Sequence, residues 1–389
     1  MNKKVIYFLS VGRSDFARYY SILTALKKYK NIHSKILVTG AHFDEEFGNT
    51  YKEIKLKKLD FVKLKLSKDY SKNFSFQNNI INISATLTNY LKRKKPDILI
   101  LSGDRYEMLA GSISSIGLGI PIIHIHGGAV TEGAIDELVR HAITKMSHYH
   151  YVIHKDYRKR LMQMGEESWR IKNFGAPGLD KIYDFSSKKV AKFERENDLK
   201  IPNDFCLACY HPVTLELSDL KKQIRSFLKA LGKAEKSIIF TYPNADPGTL
   251  TIIKEIKKFK IKKGLNKIII KNAGSEIYNY FMSKAQFMVG NSSSGIVEAA
   301  SFKLPVINIG SRQNGKVHPE NVINVNCSEA SITKGIKKSQ TLKFWNKIKK
   351  MQNPYGNGSA GRKIAKSISE LDIKNPKILR KKFINYDIS

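Results

Sequence analysis

Ile120-Pro-Ile-Ile-His-Ile-His-Gly-Gly-Ala-Val-Thr-Glu-Gly-Ala-Ile-Asp-Glu-Leu-Val-Arg-His141 is the stretch on which the fold of this chain turns. A short apolar run enters a Gly-Gly turn. From His124 to His141 it carries three imidazoles, three carboxylates and an arginine. So many polar groups at the end of a buried strand cost free energy unless something is bound there. The preceding strand ends in the same way: Pro96-Asp-Ile-Leu-Ile-Leu-Ser102 runs into Gly103-Asp104-Arg105. In an open parallel sheet, ligands sit beyond the carboxyl ends of the strands. Two neighbouring ends that carry acids and bases therefore point to an active site.

Outward from this stretch, short β-branched runs alternate with helical periodicity. Strands are expected at 5–9, 35–38, 98–101, 120–125 and 149–153, with amphipathic helices at 16–28 and 137–146. A second series follows at 205–210, 237–242, 267–270, 287–289, 305–309 and 322–325. A βαβ pattern repeated in two halves predicts an α/β protein with two doubly wound sheets. Phe174-Gly-Ala-Pro-Gly178 interrupts the pattern and marks the boundary. This gives a first domain of 1–176, a second of 177–359, and a tail of 360–389 that packs back on the first. The Lys-rich segment 56–73 reads as a surface loop or flap, and 362–371 as a helix.

The chain has 389 residues and 42% hydrophobic content, which suits two cores. No stretch approaches the roughly 18–20 apolar residues that span a bilayer. Met-Asn-Lys-Lys before Val5-Ile-Tyr-Phe-Leu-Ser10 faintly resembles a signal peptide, but Arg13 and Asp15 follow at once, so a first strand and a cytoplasmic protein are expected. Cys206-Leu-Ala-Cys209 has metal-ligand spacing but no matching second pair, and it lies in an apolar run; buried free thiols and no metal are expected. The net charge of +34 invites a nucleic-acid reading. The lysines are spread along the whole chain, however, often between apolar positions, and no nucleic-acid motif is present. Solvated faces and an anionic small substrate fit better, with neither nucleic acid nor membrane as partner.

Asn291-Ser-Ser-Ser-Gly295 lies between an apolar strand and a helix. Its backbone N–H groups and hydroxyls suit a phosphate, or form an ordinary Ser-rich N-cap. Glu298 is expected in the first turn of that helix, within reach of sugar hydroxyls. The spacing is neither a Walker loop nor Gly-x-Gly-x-x-Gly, which counts against ATP hydrolysis and NAD. Gly12-Arg13-Ser14-Asp15 opens the first helix with an arginine that can reach a phosphate or solvent. His211, in Tyr210-His-Pro-Val-Thr214, is a general acid, a phosphate ligand or a structural residue. Gly310-Ser-Arg-Gln-Asn-Gly315 adds Arg312 at another strand end.

From residue 1 to about 370 the order of these pieces resembles the hydrolysing UDP-N-acetylglucosamine 2-epimerase family of sialic and related nonulosonic acid synthesis. The matching motifs are Gly12-Arg-Ser-Asp, Gly103-Asp-Arg, His124-Ile-His-Gly-Gly, Ile135-Asp-Glu through Arg-His-Ala-Ile-Thr-Lys145, His211-Pro-Val-Thr, Tyr242-Pro-Asn, Gly290-Asn-Ser-Ser-Ser-Gly and Ile307-Asn-Ile-Gly-Ser-Arg-Gln-Asn-Gly. The resemblance implies two Rossmann-like domains facing across a cleft, the glycosyltransferase-B architecture. It implies elimination of the nucleotide diphosphate to a 2-acetamidoglucal, then hydration to free N-acetylmannosamine, with neither cofactor nor metal. Asp104 and Glu137 are then the acid/base pair, with Asp136 and His126 beside them and Arg140 holding the carboxylates ionised or touching the substrate. His211, Arg13, Ser292, Ser293 and Arg312 bind the diphosphate. Glu298 holds the ribose, and Asn244 and Arg105 seat the nucleotide. A homodimer or homotetramer is usual in the family.

Two positions depart from many relatives: Ala129 stands where a Glu follows the Gly-Gly, so that either Glu132 stands in for it or that carboxylate is dispensable, and His126 stands where some have Glu. Both lie beside the sugar. UDP- or GDP-linked 2,4-diacetamido-2,4,6-trideoxyglucose, the legionaminic acid pathway substrate, is therefore the alternative to UDP-N-acetylglucosamine. A non-hydrolysing epimerase and a glycosyltransferase of the same fold stand behind both.

Overall fold

A computed structural model describes residues 3–43, 45, 49–66, 75–132, 134–243 and 246–386. The chain divides into two units. Unit 1 comprises Met1–Ala129, Asp136–Asp180 and Tyr355–Ser389; unit 2 comprises Val130–Ile135 and Lys181–Pro354.

Unit 1 is built on a seven-stranded parallel sheet. Its strands are β1 (Lys4–Ser10), β2 (Ile32–Val38), β3 (Phe61–Lys63), β4 (Ile98–Ser102), β5 (Ile122–Ile125), β6 (Tyr149–Val152) and β7 (Ile171–Asn173). The spatial order is β3-β2-β1-β4-β5-β6-β7. Strand order reverses between β1 and β4, which is where open α/β sheets bind ligands. Both loops singled out above, Gly12–Asp15 and Gly103–Arg105, leave the sheet at this point. All five residues of β4 are buried, so its continuous apolar run reflects a strand covered on both faces. The helices are α1 (Arg13–Leu26), α2 (Tyr51–Leu56), α3 (Phe76–Arg93), α4 (Tyr106–Ile116), α5 (Asp136–Met146) and α6 (Lys155–Gln163).

Unit 2 repeats the design with β8 (Phe205–Cys209), β9 (Ser237–Thr241), β10 (Lys267–Ile270), β11 (Met288–Gly290), β12 (Val306–Ile309) and β13 (Val322–Val325). The order is β10-β9-β8-β11-β12-β13, all parallel, and the reversal falls between β8 and β11. Its helices are α7 (Ser187–Glu196), α8 (Leu220–Gly232), α9 (Thr249–Lys258), α10 (Gly274–Lys284), α11 (Ser293–Val297), α12 (Glu329–Ser339) and α13 (Leu342–Ile348).

The last helix, α14 (Ala360–Glu370), belongs to unit 1. Its Ile364, Ala365 and Ile368 join the core formed by Ile6, Phe8 and Tyr19. Asp180 caps its start by accepting from the N–H groups of Ala360 (2.9 Å) and Gly361 (2.6 Å). The Lys4 ammonium closes its other end by donating to the carbonyls of Ile368 and Ser369, both at 3.0 Å, and Leu371 at 2.6 Å.

Two expectations need correction. Segment 56–73 is not all loop: Phe61–Lys63 pairs with Ile36–Val38 as an edge strand, while residues 67–74 lie outside the described residues. The division of the chain falls after Asp180, beyond the Gly-Pro interruption, and the returning tail starts at Tyr355. No helix among the described residues is long and apolar enough to cross a membrane.

Candidate active site

In unit 1, β4 delivers Asp104 and α5 delivers Glu137 to one guanidinium. Arg140 is 1% exposed. It ion-pairs with Asp104, donates to Glu137 Oε2 at 2.8 Å, and donates to the Ala129 carbonyl at 2.9 Å. The i, i+3 spacing on α5 puts Glu137 and Arg140 on one face. Burial opposes the arginine's charge, but Asp104, then Glu137 and Asp136, leave its pKa raised overall. The Asp104 and Glu137 side chains each keep 26% of their surface open, so both carboxylates are reachable from solvent. The other oxygen of Glu137 meets His141 Nε2 at 2.8 Å. The cluster thus holds two carboxylates around one buried cation, with an imidazole behind one of them. Such a set can take up and return protons while remaining fixed in place.

Asp136 opens α5 and acts on Arg140 through its charge. His126 follows β5 with φ +67°, a left-handed backbone that His adopts more often than most residues. Its N–H donates to the Tyr151 carbonyl at 3.1 Å, which holds the turn. Ala129 is buried, and its carbonyl serves Arg140. Glu132 is exposed and lies in the Val130–Ile135 segment counted with unit 2.

At the switch point, Arg13 is the first residue of α1. Asp15 is fully buried and accepts from the N–H groups of Val11 and Gly12, both at 3.1 Å. Burial pushes its pKa up to about 6, against the pull of Arg18 and Arg105. Arg105 precedes α4, and its guanidinium grips the buried Glu107 at 2.9–3.2 Å. Glu107 is a buried counterion and Arg18 a half-buried one, 4.0 Å from Asp15, and neither can be told from a helix-surface charge in a one-dimensional pattern.

In unit 2, His211 follows β8 and is locked to the start of the serine loop. Asn291 accepts from the His211 N–H at 2.6 Å and donates to its carbonyl at 2.8 Å. Cys209 Sγ lies 3.4 Å from His211 Nε2. The Asn291 carbonyl receives Arg312 at 3.1 Å and Gln313 at 2.7 Å, so Arg312 is drawn to the same loop. Gly290 is obligatory here: a Cβ would fall 1.8 Å from the Cys209 carbonyl oxygen, and φ is +141°. Ser292 caps α11, and its hydroxyl lies 2.8 Å from that of Ser294; Ser293 is the first helical residue. Glu298 is not in a first turn. The helix is only five residues long, and Glu298 stands past its end at the start of a 3-10 turn. Asn244 lies outside the described residues. The three cysteines are free, and no cluster of three His, Cys, Asp or Glu residues among the described residues could hold a metal ion.

Two parallel sheets, each with polar groups at its switch point, define a chain of two Rossmann-like domains in the glycosyltransferase-B class. The profile of the UDP-N-acetylglucosamine 2-epimerase family matches residues 24–369. The chain is 37% identical to the GDP/UDP-N,N'-diacetylbacillosamine 2-epimerase (hydrolyzing) of Campylobacter jejuni, covering 83% of this chain and 84% of that one. It is 36% identical to the UDP-N,N'-diacetylbacillosamine 2-epimerase (hydrolyzing) of Legionella pneumophila, over 92% and 93%. Among solved structures, the UDP-GlcNAc 2-epimerase of Neisseria meningitidis bound to UDP-GlcNAc shares the fold, with a TM-score of 0.81, 20% identity, and coverage of 95% of this chain and 100% of that one. The chain belongs to the hydrolysing UDP-N-acetylglucosamine 2-epimerase family.

Proposed function

We propose that the protein is a hydrolysing 2-epimerase acting on UDP- or GDP-linked 2,4-diacetamido-2,4,6-trideoxyglucose, in a nonulosonic acid pathway. The observation behind the chemistry is the Asp104–Arg140–Glu137 cluster. Removing the weakly acidic C2 proton calls for a fixed carboxylate base, and the departing diphosphate calls for charge stabilisation. One carboxylate takes the C2 hydrogen as a proton while the C1–O bond breaks and its electron pair leaves with the diphosphate. A C1=C2 double bond remains. Water then adds, with hydroxyl at C1 and a proton at C2 on the opposite face, which gives a free sugar inverted at C2. A second carboxylate supplies that proton. His126, Asp136 and Arg140 support this half of the site. In unit 2, His211, Ser292, Ser293 and Arg312 are the proposed diphosphate contacts, and Glu298 and Asn244 the proposed ribose and nucleotide contacts; in unit 1, Arg13 is proposed for the diphosphate and Arg105 for the nucleotide.

For the substrate, the relatives at 37% and 36% identity carry the diacetamido sugar in their names, whereas UDP-N-acetylglucosamine 2-epimerase of Neisseria meningitidis serogroup B stands at 29% over 87% of this chain. This favours the diacetamido sugar over UDP-N-acetylglucosamine. A cytoplasmic homodimer or homotetramer goes with this reading as an expectation. Asp104→Asn is expected to abolish turnover while UDP affinity stays within about threefold, a difference of roughly 0.7 kcal/mol. Full turnover in that variant would overturn the reading.

A further inference from the structure

His124, on β5, is completely buried and lies behind the proposed catalytic carboxylates. Its Nε2 is 2.8 Å from the Gly103 carbonyl, and its Nδ1 is 3.1 Å from the Thr144 hydroxyl on α5. The carbonyl can only accept, so Nε2 carries the hydrogen and Nδ1 accepts from Thr144. Gly103 is held on both sides, since its own N–H donates to the Ile125 carbonyl at 2.9 Å. The next residue is Asp104. Thr144 lies one turn beyond Arg140 and two beyond Glu137. One imidazole therefore joins the loop that carries Asp104 to the helix that carries Glu137 and Arg140. Burial, only partly offset by the Gly103 hydrogen bond, pushes its pKa down to about 3, so the ring is neutral and keeps this tautomer. Gly127 leaves room for the link: a Cβ there would lie 2.9 Å from His124 Nδ1 and 3.1 Å from Thr144 Oγ1.

We infer that His124 is a positioning residue, with Thr144 its second anchor: it sets the spacing of Asp104 from Glu137 without touching substrate. The inference rests on the epimerase reading of those two carboxylates. A misplacement of about 1 Å can cost on the order of a hundredfold in rate.

The test compares His124→Asn, His124→Gln, Thr144→Val and Asp104→Asn in the full chain. It measures kcat and KM on the UDP-linked diacetamido sugar, UDP affinity, and melting temperature. Glutamine places an N–H near the position of Nε2 and preserves the Gly103 bond; asparagine does not reach it. His124→Asn is expected to lose roughly a hundredfold in kcat, with KM and UDP affinity unchanged within twofold. His124→Gln should recover most of that loss, and Thr144→Val should show a smaller fall confined to kcat. Equal losses in the Asn and Gln variants, tracking melting temperature, would reduce His124 to a packing role and overturn the inference. Full activity in His124→Asn beside an inactive Asp104→Asn would overturn the inference alone. Full activity in Asp104→Asn would overturn the epimerase reading and the inference with it.

Discussion

Arg140→Met is the most informative single perturbation of unit 1. It removes a guanidinium that is 1% exposed and leaves Asp104, Glu137 and the Ala129 carbonyl without their shared donor. Breaking a buried ion pair from one side costs about 3–5 kcal/mol. Both carboxylates keep 26% of their side-chain surface in water, which screens part of the penalty. The lower end, about 3 kcal/mol, is therefore expected. For a unit of this size it corresponds to a melting temperature lower by roughly 6–12 °C. Differential scanning calorimetry reads this directly. Adding Asp104→Asn and Glu137→Gln to Arg140→Met should recover part of the loss, because the stranded charges are gone. A shift below about 2 °C for Arg140→Met, or no recovery in the triple variant, would refute the view that this cluster is a mutually dependent buried unit.

Three further outcomes are expected. His42 is buried between Ser10 Oγ (2.8 Å) and Thr50 Oγ1 (2.7 Å), and burial pushes its pKa down to about 3. Its contribution is complete above about pH 6.5 and falls by about 1.4 kcal/mol per pH unit as pH drops toward 3, because only the unfolded chain binds the proton. Urea unfolding of His42→Gln between pH 6 and 4 should show that much less slope; an unchanged slope would contradict the burial argument. Deleting residues 377–389 strips the buried Arg170 of the Lys377, Ile378 and Arg380 carbonyls and Glu166 of Lys381. Melting should fall by the equivalent of about 3 kcal/mol or more; unaltered melting would show that the tail is only draped on the surface. Arg312→Ala should weaken UDP binding roughly 10- to 100-fold by titration calorimetry, the worth of one charge-assisted hydrogen bond, and an unaltered affinity would remove Arg312 from the nucleotide contacts.

What the sequence discloses depends on how local the cause is. Strands β4 and β5 are legible because burial on both faces demands mostly apolar runs, broken in β5 by His124 alone, and the Gly-Gly and Gly290 turns announce themselves through residue type. Strands β3 and β7 are three residues each, too short for a period to show, and β3 sits among lysines. Helix α3 buries Ile83, Leu87 and Leu91 at helical spacing, yet its Asn- and Thr-rich surface beside a Lys-rich segment disguised it. The site's residue types could be read, but its bonds could not. Asp104 and Arg140 are 36 positions apart, and His211 and Asn291 are 80 apart. The fold brings each pair together, through the loop after β4 and helix α5 in the first case and through the neighbouring strands β8 and β11 in the second. The position of Glu298 is hidden for a local reason: nothing in Ser293–Val297 signals that the helix stops after five residues.

Proton NMR of the full chain in D2O, with the UDP- and GDP-linked diacetamido sugars and UDP-N-acetylglucosamine supplied in parallel, tests the central claim most directly. The account predicts free diacetamido sugar of manno configuration with deuterium at C2, together with released nucleoside diphosphate, from one or both diacetamido substrates and far more slowly from UDP-N-acetylglucosamine. A product that keeps its nucleotide, a C2 that retains hydrogen, or a clear preference for UDP-N-acetylglucosamine would contradict it.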